Sequence, residues 1–437
     1  MGTPGRGHLS VDTDRVEVPG ARVVFGAAFA LMVLNFADRH VVVAAFPQLE
    51  AEWGASDVQL GALVSVVSVT VALGALPAAL LVDRWSRVRA IAVMASVWSV
   101  AAAAAGLAQS YGQLFTARAA VGAGEAGYGP AAGALLATIF PAGRRATVLG
   151  AFQAAASLGA MLGVALGGVV AVRWGWRAAF VVVALPGLAV ALLFLRFRDY
   201  PTVRLGGPTG ARSARRIVGE LFRARSGTAA YMGGAVQLMV VSTLYTWLPS
   251  QFRRAYGMPL DRAAGATALV ILAGFGGMIA FAYVADRAAA RNPRARLLVP
   301  AVLAMVSGIL LVTAFAAVGP GAVQFLLVVA GGATMTAASG PVAAVVVDVV
   351  HPALRATAIS TMAAVGNLLG LAVGPVLGGW LSDLYGLTTA LTVMPLLCLV
   401  SAATLWHGSR SYKRDRDAVP AAPVPSALGL RPQEGHP

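Results

Sequence analysis

The chain is 437 residues long, 58% hydrophobic and only 12% charged, with a mean hydropathy of +0.76, whereas a soluble domain carries about twice that charged fraction. A water-soluble globule is excluded, and this length accommodates about a dozen membrane-spanning helices of roughly 20 to 25 residues each. The formal net charge of +15 raises nucleic-acid binding as an option, to be tested by where the basic residues fall.

Residues 1–20 form a polar N-terminal segment of mixed charge. The apolar run that follows is longer than a signal-peptide core and lacks a small-residue cleavage site, so no cleaved signal is expected. Spanning helices are predicted over 21–46, 58–82, 88–108, 112–139, 145–172 and 177–195, then over 227–250, 263–285, 297–318, 321–350, 355–381 and 388–407. The expected fold is therefore an all-α membrane protein of twelve transmembrane helices in two six-helix bundles, 21–195 and 227–408. A linker over 196–226, rich in Arg, Gly and Pro, joins them, and a charged, then Pro/Ala-rich tail over 409–437 is expected to be disordered.

With the N-terminus placed in the cytoplasm, 26 of the 33 basic residues fall on that side and five on the other, namely Arg173, Arg177, Arg253, Arg254 and Arg262. That asymmetry predicts a multi-pass protein of the plasma (inner) membrane with both termini cytoplasmic. It also accounts for the basic charge without nucleic acid.

An internal repeat supports the division into halves. At a constant offset of 211, Pro130, Pro141, Ala142 and Arg144 match Pro341, Pro352, Ala353 and Arg355, and Gly159, Gly163, Leu166, Gly167 and Gly168 match Gly370, Gly374, Leu377, Gly378 and Gly379. The fourth and fifth helices of each half thus correspond, as in parallel repeats about an axis along the membrane normal.

Charge inside the spans is the strongest pointer to function. Asp38, Arg118 and Glu125 lie deep in apolar runs, where each costs several kcal/mol unless paired or wet, and such residues are functional candidates by default. Counting about 1.5 Å per residue from the predicted outer helix ends puts Asp38 roughly 12 Å deep, Arg118 roughly 9 Å and Glu125 roughly 20 Å. Asp38 and Arg118 can meet, and Arg118 and Glu125, seven residues apart, share a helix face. Arginine keeps its proton while a carboxylate alternates between pairing and protonation. Asp38 is therefore expected to switch between Arg118 and a proton, with Glu125 competing for Arg118 or carrying a proton itself. Arg39 faces either the cavity or the outer surface, and the sequence leaves both open. The same three residues equally suit a static network holding the first and fourth helices together.

The loop Leu81-Val82-Asp83-Arg84-Trp85-Ser86-Arg87, the two repeats and the long basic linker resemble the major facilitator superfamily across residues 21–408. Within it, Asn35-Phe36-Ala37-Asp38-Arg39, together with Arg118, Gly122, Gly124-Glu125-Ala126 and Tyr128, is similar to the spinster family of lipid transporters. Arg144 and Arg145, followed by Trp176-Arg177-Ala178-Ala179-Phe180, fit the same pattern. The resemblance implies alternating access, a sphingolipid- or lysolipid-like solute, and a gate built on Asp83, Arg84 and Arg87 with Asp286 and Arg287.

Polar residues that can meet a substrate, besides Arg118 and Glu125, are Asn35, Tyr128, Gln153, Tyr245 and Asn367, with Gln237 and Thr336 as further possibilities; each can equally bond a neighbouring helix. Asp348, Arg144, Arg145 and Arg355 sit at cytoplasmic helix ends and suit salt bridges there. Gly122 to Gly127 matches GxGxxG, but inside a span those glycines serve close packing rather than a dinucleotide. The repeated glycine stripe of the fifth and eleventh helices reads the same way. The single cysteine, Cys398, rules out an intramolecular disulfide, and the five scattered histidines offer no zinc spacing. No nucleophile set or ATP motif appears. The expectation is a monomeric secondary transporter with no cofactor and no catalytic residues, moving a small amphipathic or lipid-like solute, with protons, across the bilayer. A drug or hydrophobic-metabolite antiporter and an organic-anion/proton symporter are the alternatives.

Overall fold

The computed structural model describes residues 20–84, 86–197, 214–351 and 354–419. Twelve rods run through them. In the first half these are α1 (Ala21–Trp53), α2 (Asp57–Arg84), α3 (Arg87–Ala105), α4 (Tyr111–Glu125 continued by Tyr128–Ile139), α5 (Ala142–Trp174) and α6 (Trp176–Phe194). The second half has α7 (Arg225–Tyr256), α8 (Leu260–Arg291), α9 (Ala295–Ala316) and α10 (Ala322–Met335 continued by Ser339–Asp348). It is completed by α11 (Arg355–Val365, Gly366–Leu371 and Val373–Tyr385) and α12 (Leu387–Val393, Met394–Leu396 and Leu397–Asp417). A short helix, Ala214–Leu221, lies in the linker.

Ten of these rods are long and apolar enough to cross a membrane on length and composition alone. The other two are α4 and α7. The former breaks at Ala126 and Gly127 and carries Arg118 and Glu125. The latter buries Gln237, Ser242, Thr243, Thr246, Ser250 and Gln251, an uncommon polar load for a spanning helix.

Several predicted ends move outward. α1 continues through Pro47 to Trp53 rather than ending near residue 46, and α12 continues to Asp417 instead of giving way to an irregular tail at 409. The extension is tied down, since Asp415 accepts from the backbone N–H and the hydroxyl of Ser226 at 2.9 and 2.8 Å.

The repeat is written in the backbone as well as in the sequence. Gly175 and Gly386, 211 residues apart, both take a left-handed turn at φ +83° and +84°, a conformation that costs glycine nothing. The break in α4 at 126–127 recurs in α10 at 336–338 at the same offset. Close approach of helices is repeated too. A Cβ on Gly163 of α5 would lie 2.4 Å from the Ala37 carbonyl oxygen of α1, and one on Gly374 of α11 would lie 2.2 Å from Ser242 Oγ of α7. Small residues therefore let these pairs pack backbone to backbone where lipid gives no hydrophobic drive.

The symmetry fails in α11. α5 is continuous, whereas its counterpart α11 holds a π turn over Gly366–Leu371, with the Ala372 N–H donating to the Asn367 carbonyl oxygen at 2.9 Å. Such single-turn π segments gather at functional sites.

The halves meet most closely at the face opposite the termini. Phe46 of α1 stacks on Trp247 of α7 with centroids 5.4 Å apart, and Ala160 and Val164 of α5 pack with Ala264 and Ile271 of α8.

Candidate functional site

Four charged side chains, two from α1 and two from α4, form a buried quartet at mid-bundle. Arg118 is 0% exposed. Its Nη1 donates to Asp38 Oδ2 at 2.9 Å and to the Asp38 carbonyl oxygen at 3.1 Å. Its Nε reaches the Leu63 carbonyl oxygen at 3.5 Å, and its Nη2 the Arg39 carbonyl oxygen at 3.4 Å. The guanidinium also lies 6.0 Å from the Phe180 ring centroid. Arg118 is thus pinned to three residues from two other helices by the fork geometry that lysine lacks.

Arg39 turns inward. Its Nε and Nη2 both meet Glu125 Oε2 at 2.7 Å, and its guanidinium sits 5.3 Å from the Phe36 ring centroid. Its side chain keeps 14% of its exposure, against 1% for Glu125. The sequence placed two acids against one base; the structure gives each acid its own arginine, so the quartet is neutral when all four are charged. Glu125 is bound to Arg39 instead of competing for Arg118.

Each acid nevertheless keeps one oxygen idle. Among the described residues, Asp38 Oδ1 and Glu125 Oε1 are buried without a hydrogen-bond partner, as is the Asn35 amide nitrogen one turn before Asp38. A buried lone pair left unmatched costs of order 1–3 kcal/mol, so these atoms are places where a proton or a polar ligand group is favoured.

Asp38 lies deeper than the predicted end of the first helix implies. From the observed end of α1 at Trp53, Asp38 is about 22 Å along the axis rather than 12 Å. Arg118 is about 10 Å from the start of α4, yet the two touch. α1 projects about two turns beyond α4, which the apolar run alone does not show because the projection carries Gln48, Glu50 and Glu52.

The remaining predicted substrate residues divide. Gln153 is exposed and lies within about 20° of Ala160 and Val164 around α5, so it points at the seam between halves, toward the terminal face. Tyr245 packs with the α5–α8 seam cluster. Asn367 begins the π turn, its Nδ2 donating to the Ala363 carbonyl oxygen at 2.9 Å while its buried Oδ1 has no partner. Tyr128 does not reach open space: it is 1% exposed, stacks edge-on against Trp98 and donates to the Ala28 carbonyl oxygen at 2.6 Å. Arg118 is likewise without exposed surface. Gln237 Nε2 donates to the Met335 carbonyl oxygen at 3.0 Å while its buried Oε1 has no partner among the described residues, and Thr336 donates to the Gly274 carbonyl oxygen at 2.6 Å.

Of the predicted gate, the side chains of Asp83 and Arg84 lie outside the described residues. Arg87 donates to Thr138 Oγ1 at 3.2 Å and the Ala134 carbonyl oxygen at 3.4 Å. In the second half, Asp286 is exposed and, among the described residues, Arg287 meets Tyr283 on its own helix at 3.2 Å. Asp348 forms the expected helix-end cluster, with Arg296 and Tyr412.

At the opposite face an ion-pair cluster ties the two halves together. Arg254 of α7 grips Asp57 at the start of α2 in a bidentate pair, 2.7 Å on each arm, and touches Glu50 of α1 at 3.2 Å. Asp383 of α11 accepts the backbone N–H groups of Asp57 and Val58 at 2.8 and 2.9 Å, and Ser382 donates to Asp57. The backbones press together beneath: a Cβ on Gly61 would lie 2.3 Å from the Pro375 carbonyl oxygen. Sequence reasoning missed this cluster because each member reads as an ordinary helix-end charge and partners lie 197 to 326 residues apart. The only local hint is an acid at the first turn of α2.

Two pseudo-symmetric helical halves, a charged quartet buried inside one of them and an ion-pair cluster across the seam at one end are the architecture of a membrane transporter. The Major Facilitator Superfamily profile matches residues 28–368, and the chain belongs to that superfamily. An MFS-type efflux pump of Mycolicibacterium smegmatis is 29% identical over 93% of this chain and 98% of its own length. The mouse (Mus musculus) sphingosine-1-phosphate transporter SPNS2 is 28% identical over 80% of this chain and 68% of its own. Among solved structures, a bacterial homologue of the human lysosomal transporter spinster, inward-facing and unoccupied, superposes with a TM-score of 0.82 at 21% identity, covering 94% of this chain and 100% of that one. The spinster resemblance read from α1 and α4 stands.

Proposed function

We propose that the chain moves an amphipathic, lipid-like organic solute by alternating access, as a monomer coupled to protons, with both termini in the cytoplasm and the closed gate facing outward. The observation that carries this reading is the quartet: two buried carboxylates, each held by an arginine through one oxygen and left with the other oxygen idle. Protonating Asp38 or Glu125 fills that vacancy and weakens its grip on α4 or α1, which changes the balance between two arrangements of the same helices. Arg39, the one member reaching open space, is the arginine best placed to meet an anionic head, with Asn35 and Glu125 beside it. Gln153, Tyr245 and Asn367 face or flank the seam through which the apolar part would pass.

The likeness to SPNS2 along most of the chain supports a lipid-like solute. The efflux pump, matched over nearly its whole length, supports drug or hydrophobic-metabolite export as the second reading. Both use the same quartet. The test is flux in proteoliposomes under an imposed pH gradient, with lysolipids, sphingoid lipids, cationic drugs and organic anions, for the wild type and Asp38→Asn. Gradient-driven movement of a lipid-like solute that is lost in the variant is expected. Equal gradient-driven flux in both proteins removes Asp38 from the mechanism, and movement of drugs alone replaces the solute class.

A further inference from the structure

Beside the closed gate, two adjoining grooves of about 400 and 410 Å³ run along the seam between the halves. Pro47, Ala51 and Arg253 line both. One groove continues over Gln48 and Val172 of the first half to Leu260 of the second, and the other ends at Glu50 and Arg254. Each is within the size range of small-molecule sites.

Charge is laid out along this cleft in order. At its centre Arg253 is half-buried, and among the described residues no side chain or carbonyl takes its guanidinium. Its neighbours on this face are satisfied: Arg254 by Asp57, Arg177 by Glu52. At one end Glu50 is 51% exposed and holds Arg254 through one oxygen only, at 3.2 Å. Asp57 and Asp383 are consumed by the gate. At the other end the walls are apolar; Val172 in the wall and Trp174 two residues further on are 53% and 66% exposed, a composition suited to the edge of a bilayer, where tryptophan collects. Gln48 is fixed as a wall by its bond to the Ala171 carbonyl oxygen at 2.8 Å. Asp261, Arg173 and Arg262 are exposed around the rim.

We propose that this cleft binds a phosphate–ammonium headgroup, with the phosphate on Arg253, the ammonium on Glu50 and the acyl chains leaving past Val172 and Leu260. A bare anion leaves Glu50 facing it, and a bare cation leaves Arg253 facing it; a zwitterion offers each a partner of opposite charge. The site is distinct from the quartet, which lies in α1 and α4 at mid-bundle. Its walls come from α1 and α5 on one side and α7 and α8 on the other, so an occupant bridges the halves and binds the closed face in preference to the open one.

The experiment titrates short-chain phosphatidylethanolamine into the full-length protein in detergent and follows binding by thermal stabilisation, with phosphatidylglycerol and free phosphoethanolamine as parallel arms. Arg253→Gln is expected to weaken the phosphatidylethanolamine response about tenfold, the usual worth of a charge-assisted hydrogen bond. Glu50→Gln is expected to weaken that response while leaving phosphatidylglycerol unchanged, and Arg262→Gln, at the rim, to change neither. An equal response to free phosphoethanolamine assigns the same site to a soluble ligand rather than to lipid. Undiminished phosphatidylethanolamine binding in Arg253→Gln overturns the proposal.

Discussion

Asp38 and Arg39 are neighbours in the chain, yet their side chains close two separate ion pairs on α4, Asp38 with Arg118 at 2.9 Å and Arg39 with Glu125 at 2.7 Å. Consecutive residues on a helix point about 100° apart. The two pairs can coexist because Arg118 and Glu125 are two turns apart on α4, so α1 engages α4 at two levels at once. Both pairs lie within the first half. At the 211 offset, the positions of Arg118 and Glu125 in the second half are Val329 and Thr336. The repeat is therefore shared in most of its scaffold, while this charged quartet belongs to one half.

Removing Arg118 strands a buried carboxylate. Arg118→Met is expected to destabilise the protein by about 3–5 kcal/mol, the usual cost of breaking a buried pair by deleting one partner. Arg118→Lys recovers only part of it, since an ammonium cannot reach Asp38, Leu63 and Arg39 with the same fork. Chemical unfolding in detergent reads both, and a loss below about 1 kcal/mol for Arg118→Met contradicts the burial of this pair.

The two acids are expected to act as one coupled unit. Asp38→Asn and Glu125→Gln each cut gradient-driven flux in proteoliposomes to a small measurable residue while downhill exchange persists, and the double variant is no worse than the poorer single one, as residues in one network fail to add. Full additivity of the two losses shows that the pairs work independently.

Much of this architecture is legible in the sequence, and the exceptions have physical causes. Apolar runs mark the rods because the bilayer demands about 20 apolar residues per crossing, and the 211 offset marks the halves. Asp38, Arg118 and Glu125 stand out because charge is costly there. Arg39 does not resolve, since a long side chain near a predicted helix end can snorkel either way; only the extension of α1 to Trp53 puts it deep enough to face Glu125. Tyr128 reads as a substrate residue from its place beside Glu125, but the turn at Ala126 and Gly127 rotates it onto Trp98. The gate of Arg254, Asp57 and Asp383 is a property of tertiary contact between halves, and no local pattern encodes it.

Loosening that gate is expected to shift the balance between states rather than the fold. Arg254 and Glu50 are partly exposed, so their contact is screened and worth little, whereas Asp57 is largely buried beneath the bidentate arm. Arg254→Ala is expected to raise the population open at this face roughly fivefold, about 1 kcal/mol. Distances between spin labels placed across the seam report it. High salt reproduces part of the effect in the wild type and none in the variant. An unchanged distance distribution in Arg254→Ala shows that backbone packing, not the ion pair, holds the face shut.

Two glycines separate packing within a half from packing between halves. Gly163 lies against the Ala37 carbonyl oxygen inside the first half, and Gly379 of α11 lies against Asp57 of α2 across the seam, where a Cβ would come within 2.4 Å of the Asp57 carbonyl oxygen. In both cases the obstacle is backbone, which cannot swing aside as a side chain does. Gly163→Ala must push α5 off α1 and is expected to cost about 1–3 kcal/mol of stability, the range for an overpacked contact. Gly379→Ala meets its obstacle only when the face closes, so the open arrangement relieves it. That variant is expected to keep its unfolding temperature, populate the outward-open form and lose most of its gradient-driven flux. Equal thermal destabilisation by the two substitutions, with unchanged seam distances in Gly379→Ala, shows that the contact between Gly379 and Asp57 persists throughout the transport cycle.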